Sequence, residues 1–177
     1  MAILNDYGKA LFMLTEERGT TETVLPELAT AEKLFKENPD YVRLLDTPAL
    51  TKAERLALVD GAFSSFDEDL KSLIKILTEK HSVHTFSDVQ KSFSSLYNTS
   101  RGIEHVEAVT AIPMTDGQIT RMSEKLARET GKKIILRNTV SPEILGGVKL
   151  RYSGTQLDAS IRTRLEKFEA SLKNTVI

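Results

Sequence analysis

The residue types that most often carry chemistry are sparse in this sequence, and only two short segments could form a ligand site. His81 and His84 lie three positions apart, so on a helix they would face one way and could act as a pair of metal ligands. A metal site would also need a third ligand and side chains that orient the first ones, and neither is apparent locally. The ordinary alternative is a pair of solvated loop histidines.

The second segment, Gly146-Gly147-Val148-Lys149, has the composition of a phosphate-binding loop. The Gly-x-x-x-x-Gly-Lys-Ser/Thr spacing is absent, however, and a predicted strand follows it, whereas a phosphate loop leads into a helix N-terminus. Two glycines before a strand usually permit a tight turn or a close approach of the backbone. An enzyme or ligand-binding domain that uses one of these two segments remains the alternative function.

The sequence gives little support for other kinds of catalytic or binding site. The chain has no Cys, which excludes disulfides and thiolate sites, and it contains no Gly-x-Ser-x-Gly or His-Glu-x-x-His motif. With 24 Lys+Arg and 25 Asp+Glu the formal net charge is -1, and no aromatic residues accompany the basic pairs Lys132-Lys133 and Arg162/Arg164 to stack on bases. We expect no catalytic centre, no cofactor, no metal and no nucleic-acid partner.

The pattern of the chain changes near Arg101-Gly102. Apolar residues recur at helical spacing before this point, and two-residue alternation first appears after it. Residues 1–105 hold 12 Lys+Arg and 17 Asp+Glu, whereas residues 106–177 hold 12 and 8, so an acidic part precedes a basic one. We therefore predict two domains, residues 1–104 and 105–177. No stretch approaches the roughly 20 apolar residues of a membrane-spanning helix, and no targeting segment is visible at the start.

The first domain is predicted to be an all-α bundle of six helices. Pro26 is expected in the first turn of the second helix, where a proline is tolerated. Thr51 and Glu54 have the spacing of a capping box and predict the start of the fourth helix. The apolar stripes of the first and fifth helices run through Leu4, Tyr7, Leu11 and Leu14, and through Leu70, Leu73, Ile74 and Leu77.

The second domain is predicted to be a small α+β unit. Val106 to Ile112 reads as a strand, and a second capping box at Thr115 and Gln118 opens a helix. Residues 133–140 and 148–152 predict two further strands, with a turn at Ser153-Gly154. Asp158 can then cap a last helix, whose apolar stripe is Ile161, Leu165, Phe168 and Leu172.

A longer pattern of residues along the chain resembles that of a known protein family. Apolar residues at Ile134, Leu136, Val140 and Ile144 precede Gly146-Gly147-Val148-x-Leu150-Arg151-x-Ser153, and Asp158-x-Ser160-Ile161-Arg162-x-x-Leu165 follows; the chain opens with Tyr7-Gly-Lys-Ala10-Leu11-Phe. Together they resemble the delta subunit of bacterial F-type ATP synthases, a family that includes the mitochondrial oligomycin-sensitivity-conferring protein. Two departures are Ser141 before Pro142, where the family usually has an acidic or amide residue, and Gly8 in place of a common Ala.

The resemblance implies a non-catalytic stator subunit, one copy in a larger complex. The bundle would bind the N-termini of the alpha subunits on the catalytic head, and the second domain would bind the end of the b-subunit stalk, so that the head resists rotor torque during ATP synthesis or hydrolysis. Association with the membrane would be indirect, at the cytoplasmic face of the bacterial plasma membrane. The family's groove along helices one and five maps onto Tyr7, Leu11, Leu14, Leu73 and Leu77, and its signature structural positions onto Gly146, Gly147, Asp158, Ser160 and Arg162.

Overall fold

The chain folds into two compact units, Met1–Tyr97 and Asn98–Ile177. The structure is a computed structural model. It describes residues 2–152 and 154–158, with side chains from residue 6 onward. The division between the units falls within the last turn of a helix that continues to Ser100. The change of sequence pattern at Arg101-Gly102 follows this helix directly. The boundary expected from the sequence lies a few residues further on, at residue 104.

Helices make up the first unit, and a small sheet follows it. The helices are α1 Ala2–Arg18, α2 Thr21–Glu37, α3 Pro39–Asp46, α4 Lys52–Ala62, α5 Glu68–Glu79 and α6 Phe86–Ser100, with a 3-10 turn at Val83–Thr85. In the second unit α7 Asp116–Thr130 brings the number of α-helices in the described residues to seven. The prediction of a mostly helical chain that ends in a small mixed unit is confirmed.

Both predicted capping boxes are present. In α4 the Thr51 hydroxyl accepts a hydrogen bond from the Glu54 amide at 3.3 Å, and the Glu54 carboxylate accepts one from the Thr51 amide at 2.9 Å. In α7 Thr115 and Gln118 form the same pair of bonds, at 3.3 and 2.9 Å. Each box satisfies two of the amides that a helix N-terminus leaves without an intrahelical partner, and so fixes the start of its helix.

The expected position of Pro26 is wrong. Pro26 is the sixth residue of α2 and lies beyond the first turn, because the helix begins at Thr21. Thr21 and Val24, which precede the proline, are both buried, and the buried stripe continues with Leu28. The burial of this longer face outweighs the one helical hydrogen bond that a proline nitrogen has no proton to donate.

Aromatic packing joins three helices at the centre of the first unit. The ring of Phe35 on α2 lies 5.4 Å from Phe63, which ends α4, and 4.9 Å from Phe86, which begins α6. Fully burying one such side chain contributes about 1.5–3 kcal/mol. The rest of this core is aliphatic for the most part and includes Leu28, Leu45, Leu70, Ile74, Leu77, Val83 and Val89.

The second unit is built on a four-stranded mixed sheet in the order β2-β1-β3-β4. Its strands are β1 Ile103–Thr110, β2 Lys133–Val140, β3 Val148–Tyr152 and β4 Thr155–Asp158. β1 and β2 are parallel, and the other neighbouring pairs are antiparallel. Parallel neighbours need a crossover connection, which α7 supplies between β1 and β2.

The two faces of this sheet differ in polarity. Val106, Ala108 and Leu150 are buried on one face, where Met122 and Leu126 of α7 pack against them. The other face carries His105, Glu107 and Arg137 together with other polar side chains. Strand alternation therefore divides the sheet into a face that belongs to the core and a polar face.

Not every element of the second unit follows from the sequence pattern. β4 was not predicted; it follows a turn at Gly154, whose φ of 75° is positive. Asp158 ends β4, and its carboxylate forms an ion pair with Lys149 at 3.0 Å. The predicted last helix, including Ser160 and Arg162, lies outside the described residues.

Candidate protein-interaction surfaces

The two histidines of the metal alternative pack against the end of α3. His84 Nδ1 lies 2.7 Å from the Asp46 carboxylate, which also accepts hydrogen bonds from the amides of Val83 at 2.8 Å and His84 at 3.2 Å. His81 Nδ1 lies 2.9 Å from the Asp46 carbonyl oxygen. Within residues 2–152 and 154–158, no three side chains of His, Cys, Asp or Glu are placed to hold a metal ion. The contacts indicate a junction between α3 and the 3-10 turn.

A buried arginine reinforces this junction. Arg55 is 6% exposed, and its guanidinium donates hydrogen bonds to the carbonyl of Thr78 at 2.6 Å and to that of Leu45 at 3.2 Å. These carbonyls lie in the last turns of α5 and α3, where helical carbonyls have no intrahelical donors. Arg55 thus ties two helix C-termini to α4, a role that its position after a capping box does not reveal.

The five residues predicted to line a groove on α1 and α5 differ in burial. Leu11, Leu73 and Leu77 are buried in the core of the first unit. Tyr7 and Leu14 are half-buried and so keep part of their surface accessible.

An exposed isoleucine adds to the accessible part of this region. Arg18 of α1 forms an ion pair with Asp69 of α5 at 2.7 Å, which marks the side of α5 that is turned to α1. Ile76 follows Asp69 by seven residues, or two helical turns, and therefore lies on the same side of α5. It is 44% exposed. We call Tyr7, Leu14 and Ile76 the α1/α5 face; Ile76 escapes sequence analysis because it stands beside the buried stripe.

The Gly146-Gly147 segment lies next to an apolar groove on the second unit. Gly147 has a φ of 83°, which favours glycine, and β3 begins at the following residue, so the segment does not lead into a helix N-terminus. The groove has a volume of about 640 Å³. We name it the Leu145 groove and define it by Ile112, Met114, Arg121, Met122, Lys125 and Leu145.

A second concave surface, of about 790 Å³, covers the polar face of the sheet. Glu107 lies within it, accepting a hydrogen bond from the Thr139 hydroxyl at 2.8 Å and pairing with Arg151 at 3.4 Å. His105 and Arg137 also line it. Because its charges include both signs and pair with one another, this surface lacks the uniform charge that would select an anionic or a cationic ligand.

Comparison with known proteins decides the family. The model of the family described as ATP synthase delta (OSCP) subunit matches residues 3–172. The chain belongs to this family. A protein named ATP synthase subunit delta from Clostridioides difficile (strain 630) is 30% identical over 176 residues, which cover 98% of this chain and 97% of that protein. The protein of the same name from Geobacillus sp. (strain WCH70) is 29% identical over 171 residues, with 96% of each chain covered.

A solved structure shares the fold of this delta-family chain. One chain in the structure of the Toxoplasma gondii mitochondrial ATP synthase hexamer matches with a TM-score of 0.72 at 19% sequence identity, covering 97% of this chain and 98% of that one. As a member of the delta (OSCP) family, the chain is a peripheral stator subunit of ATP synthase, a structural and not a catalytic component of that complex. No helix in the described part of the chain is long and apolar enough to cross a membrane.

Proposed function

We propose that this delta-family subunit connects the catalytic head of a bacterial ATP synthase to the b-subunit stalk. Its helical unit binds the N-terminal segments of alpha subunits, and its sheet-containing unit binds the end of the stalk. The observation that carries the proposal is a family match that runs from residue 3 to residue 172 and so includes both units. A link of this kind needs one binding surface for each partner.

The α1/α5 face is the surface that we assign to the head. A helix docks into a groove between two helices through apolar residues spaced three or four apart, and it needs apolar surface that the free protein leaves accessible. Tyr7, Leu14 and Ile76 meet this requirement, whereas Leu11, Leu73 and Leu77 support the face from inside the core. The Arg18–Asp69 pair fixes α1 against α5 at one end of the face.

The location of the subunit follows from its partners. The subunit acts as one copy in the complex, at the cytoplasmic face of the plasma membrane, and reaches the membrane only through the other subunits. The full-length relatives from bacteria support this location.

Calorimetric titration of the full chain with the N-terminal peptide of the alpha subunit from the same organism tests head binding. We expect saturable one-to-one binding that Ile76→Asp weakens at least tenfold. Leu44→Asp is the matched control, because Leu44 is similarly exposed but lies on α3. Circular dichroism establishes that both variants are folded.

Two results would contradict the proposal at different levels. Absence of binding by the folded wild-type chain would remove the head-binding function. Binding that Ile76→Asp leaves unchanged would keep the function but remove the α1/α5 face as its site.

A further inference from the structure

Two bulky aliphatic side chains protrude into the Leu145 groove. Ile112 is 74% exposed and Leu145 is 76% exposed, the two most exposed of the large hydrophobic residues in the described chain. Each lies in a loop, one after β1 and one before β3. Exposed apolar surface forgoes about 25 cal/mol per Å² of stabilisation, and clusters of it on a folded protein mark interaction sites.

Hydrogen bonds hold the two loops in place. The Ser141 amide donates to the Thr110 carbonyl at 2.9 Å, and the Ile144 amide donates to the Ser141 carbonyl at 3.1 Å. Ile144 is 7% exposed, so it anchors the loop in the core while its neighbour Leu145 points into solvent. On the facing loop the Thr110 hydroxyl donates to the Ile112 carbonyl at 2.7 Å.

Asn138 of β2 connects β1 to the end of the loop that leads into α7. Its side-chain amide donates to the Ala108 carbonyl at 2.8 Å, and its side-chain oxygen accepts from the Met114 amide at 2.9 Å. The loop that carries Ile112 is therefore bonded at both of its ends. The groove is formed before a partner arrives, and a partner need not supply the free energy to order it.

The charges around the groove have one sign. Arg121 and Lys125 of α7 line it, and no Asp or Glu in the part of the chain that the structure describes does so. Both cations are exposed, and neither forms an ion pair with a described residue. They stand four residues apart on α7, so their side chains are neighbours about 5–6 Å apart at Cβ.

We propose that the Leu145 groove binds an amphipathic helix whose apolar stripe is flanked by acidic residues, and that this helix is the end of the b-subunit stalk. The inference rests on the proposed function and assigns the stalk contact to one surface. The apolar stripe covers Ile112 and Leu145, and carboxylates three or four residues apart on the partner meet Arg121 and Lys125.

The composition of the groove suits a helix. Met114 and Met122 line it, and methionine side chains adapt their shape to an irregular apolar partner. The polar face of the sheet offers neither an apolar anchor of comparable exposure nor charges of one sign. Helix docking also leaves the backbone of the partner hydrogen-bonded within itself, so the groove need not provide donors or acceptors for it.

Titration of the full-length chain with the soluble C-terminal half of the b subunit from the same organism tests the assignment. Leu145→Asp should weaken binding at least tenfold, and so should the double reversal Arg121→Glu/Lys125→Glu, whose residual binding should no longer weaken as the salt concentration rises. The matched controls are Ile135→Asp and Arg137→Glu on the opposite face of the sheet, which should bind like the wild type. All five substituted positions are exposed, so the variants are expected to fold.

Each other outcome overturns the assignment in a distinct way. If the wild-type chain binds the stalk and the groove variants bind equally well, the stalk docks elsewhere and the proposed function stands. If the folded wild-type chain does not bind at all, stalk binding itself fails. If sizing chromatography shows a dimer that Leu145→Asp converts to a monomer, the groove binds a second copy of this chain and not the stalk.

Discussion

Gly8 of α1 packs so closely against Ser92 of α6 that a Cβ atom on the glycine would lie 2.7 Å from the Cβ of Ser92. The same atom would lie 2.7 Å from the carbonyl oxygen of Val89. One helix turn further along, the rings of Phe12 and Phe93 meet edge to face at 5.6 Å. The α1/α6 crossing therefore depends on the missing side chain.

Gly8→Ala should destabilise the first unit. Overpacking of this kind costs about 1–3 kcal/mol, and the better helix propensity of Ala returns about 1 kcal/mol of that. Gly61→Ala in α4 is the control, because nothing lies within 4 Å of its added methyl group, and it should stabilise by up to about 1 kcal/mol. Urea denaturation of both variants measures the difference. Equal effects of the two substitutions would show that α1 and α6 are not so closely packed.

The capping box of α4 should weaken in acid. Hydrogen bonds from the Thr51 hydroxyl and then from the Thr51 amide lower the pKa of Glu54 below its usual value. Because the folded-state pKa is lowered, the stabilisation is present above the unfolded-state pKa and is lost as the pH falls through the folded-state pKa. Glu54→Gln should remove this pH dependence and keep the cap, since Gln118 occupies the same position in the box of α7.

The free energy of unfolding is measured for the wild type and for Glu54→Gln by denaturation at a series of pH values between neutral and acid. We expect the stability of the wild type to fall relative to that of Glu54→Gln only at the acid end. Parallel stability curves throughout would contradict the link between the Thr51 bonds and the pKa of Glu54.

Local signals in the sequence predict a large part of this fold. Capping boxes and apolar stripes depend on residues within one helix, so the starts of α4 and α7 follow directly. The predicted position of Pro26 is wrong because the burial of Thr21 and Val24, a tertiary effect, extends α2 towards its N-terminus, ahead of the proline. β4 escaped prediction because its four residues carry no alternation and depend on pairing with β3.

The candidate surfaces depend even more on tertiary contacts. A helical stripe does not distinguish Leu11, which is in the core, from Leu14, which is half-buried, because both lie on the same side of α1. The exposure of Leu145 depends on the burial of Ile144 and on loop bonds between residues far apart in the chain. From the sequence alone, Ile144 and Leu145 cannot be told apart from other loop residues.

Gly147→Val should destabilise the second unit and spare the first. Gly147 has a φ of 83°, and a β-branched residue held there costs about 1–3 kcal/mol. Hydrogen exchange resolves the two units: amides of β3 should lose protection, whereas those of α5 should not. Gly117→Val in α7, where φ is not positive and no atom lies within 4 Å of the added Cβ, is the control. Wild-type protection in β3 would contradict the prediction.

Asp46 should matter more for stability than either histidine that it contacts. Asp46→Ala removes the acceptor of the Val83 amide, which belongs to a buried residue, along with two further contacts to His84. Leaving such a donor without a partner costs about 1–3 kcal/mol. His84→Ala removes only an exposed side-chain contact and should cost less than about 1 kcal/mol.

Thermal or urea denaturation of both variants compares the two costs directly. Addition of zinc should leave the melting temperature of the wild type unchanged, because His81 and His84 make the contacts of a helix junction. A metal ion that bound the native state would instead raise the melting temperature. A rise with zinc that His84→Ala abolishes would revive the metal alternative. An effect of His84→Ala as large as that of Asp46→Ala would place the stabilisation in the side-chain pair and not in the capped amides.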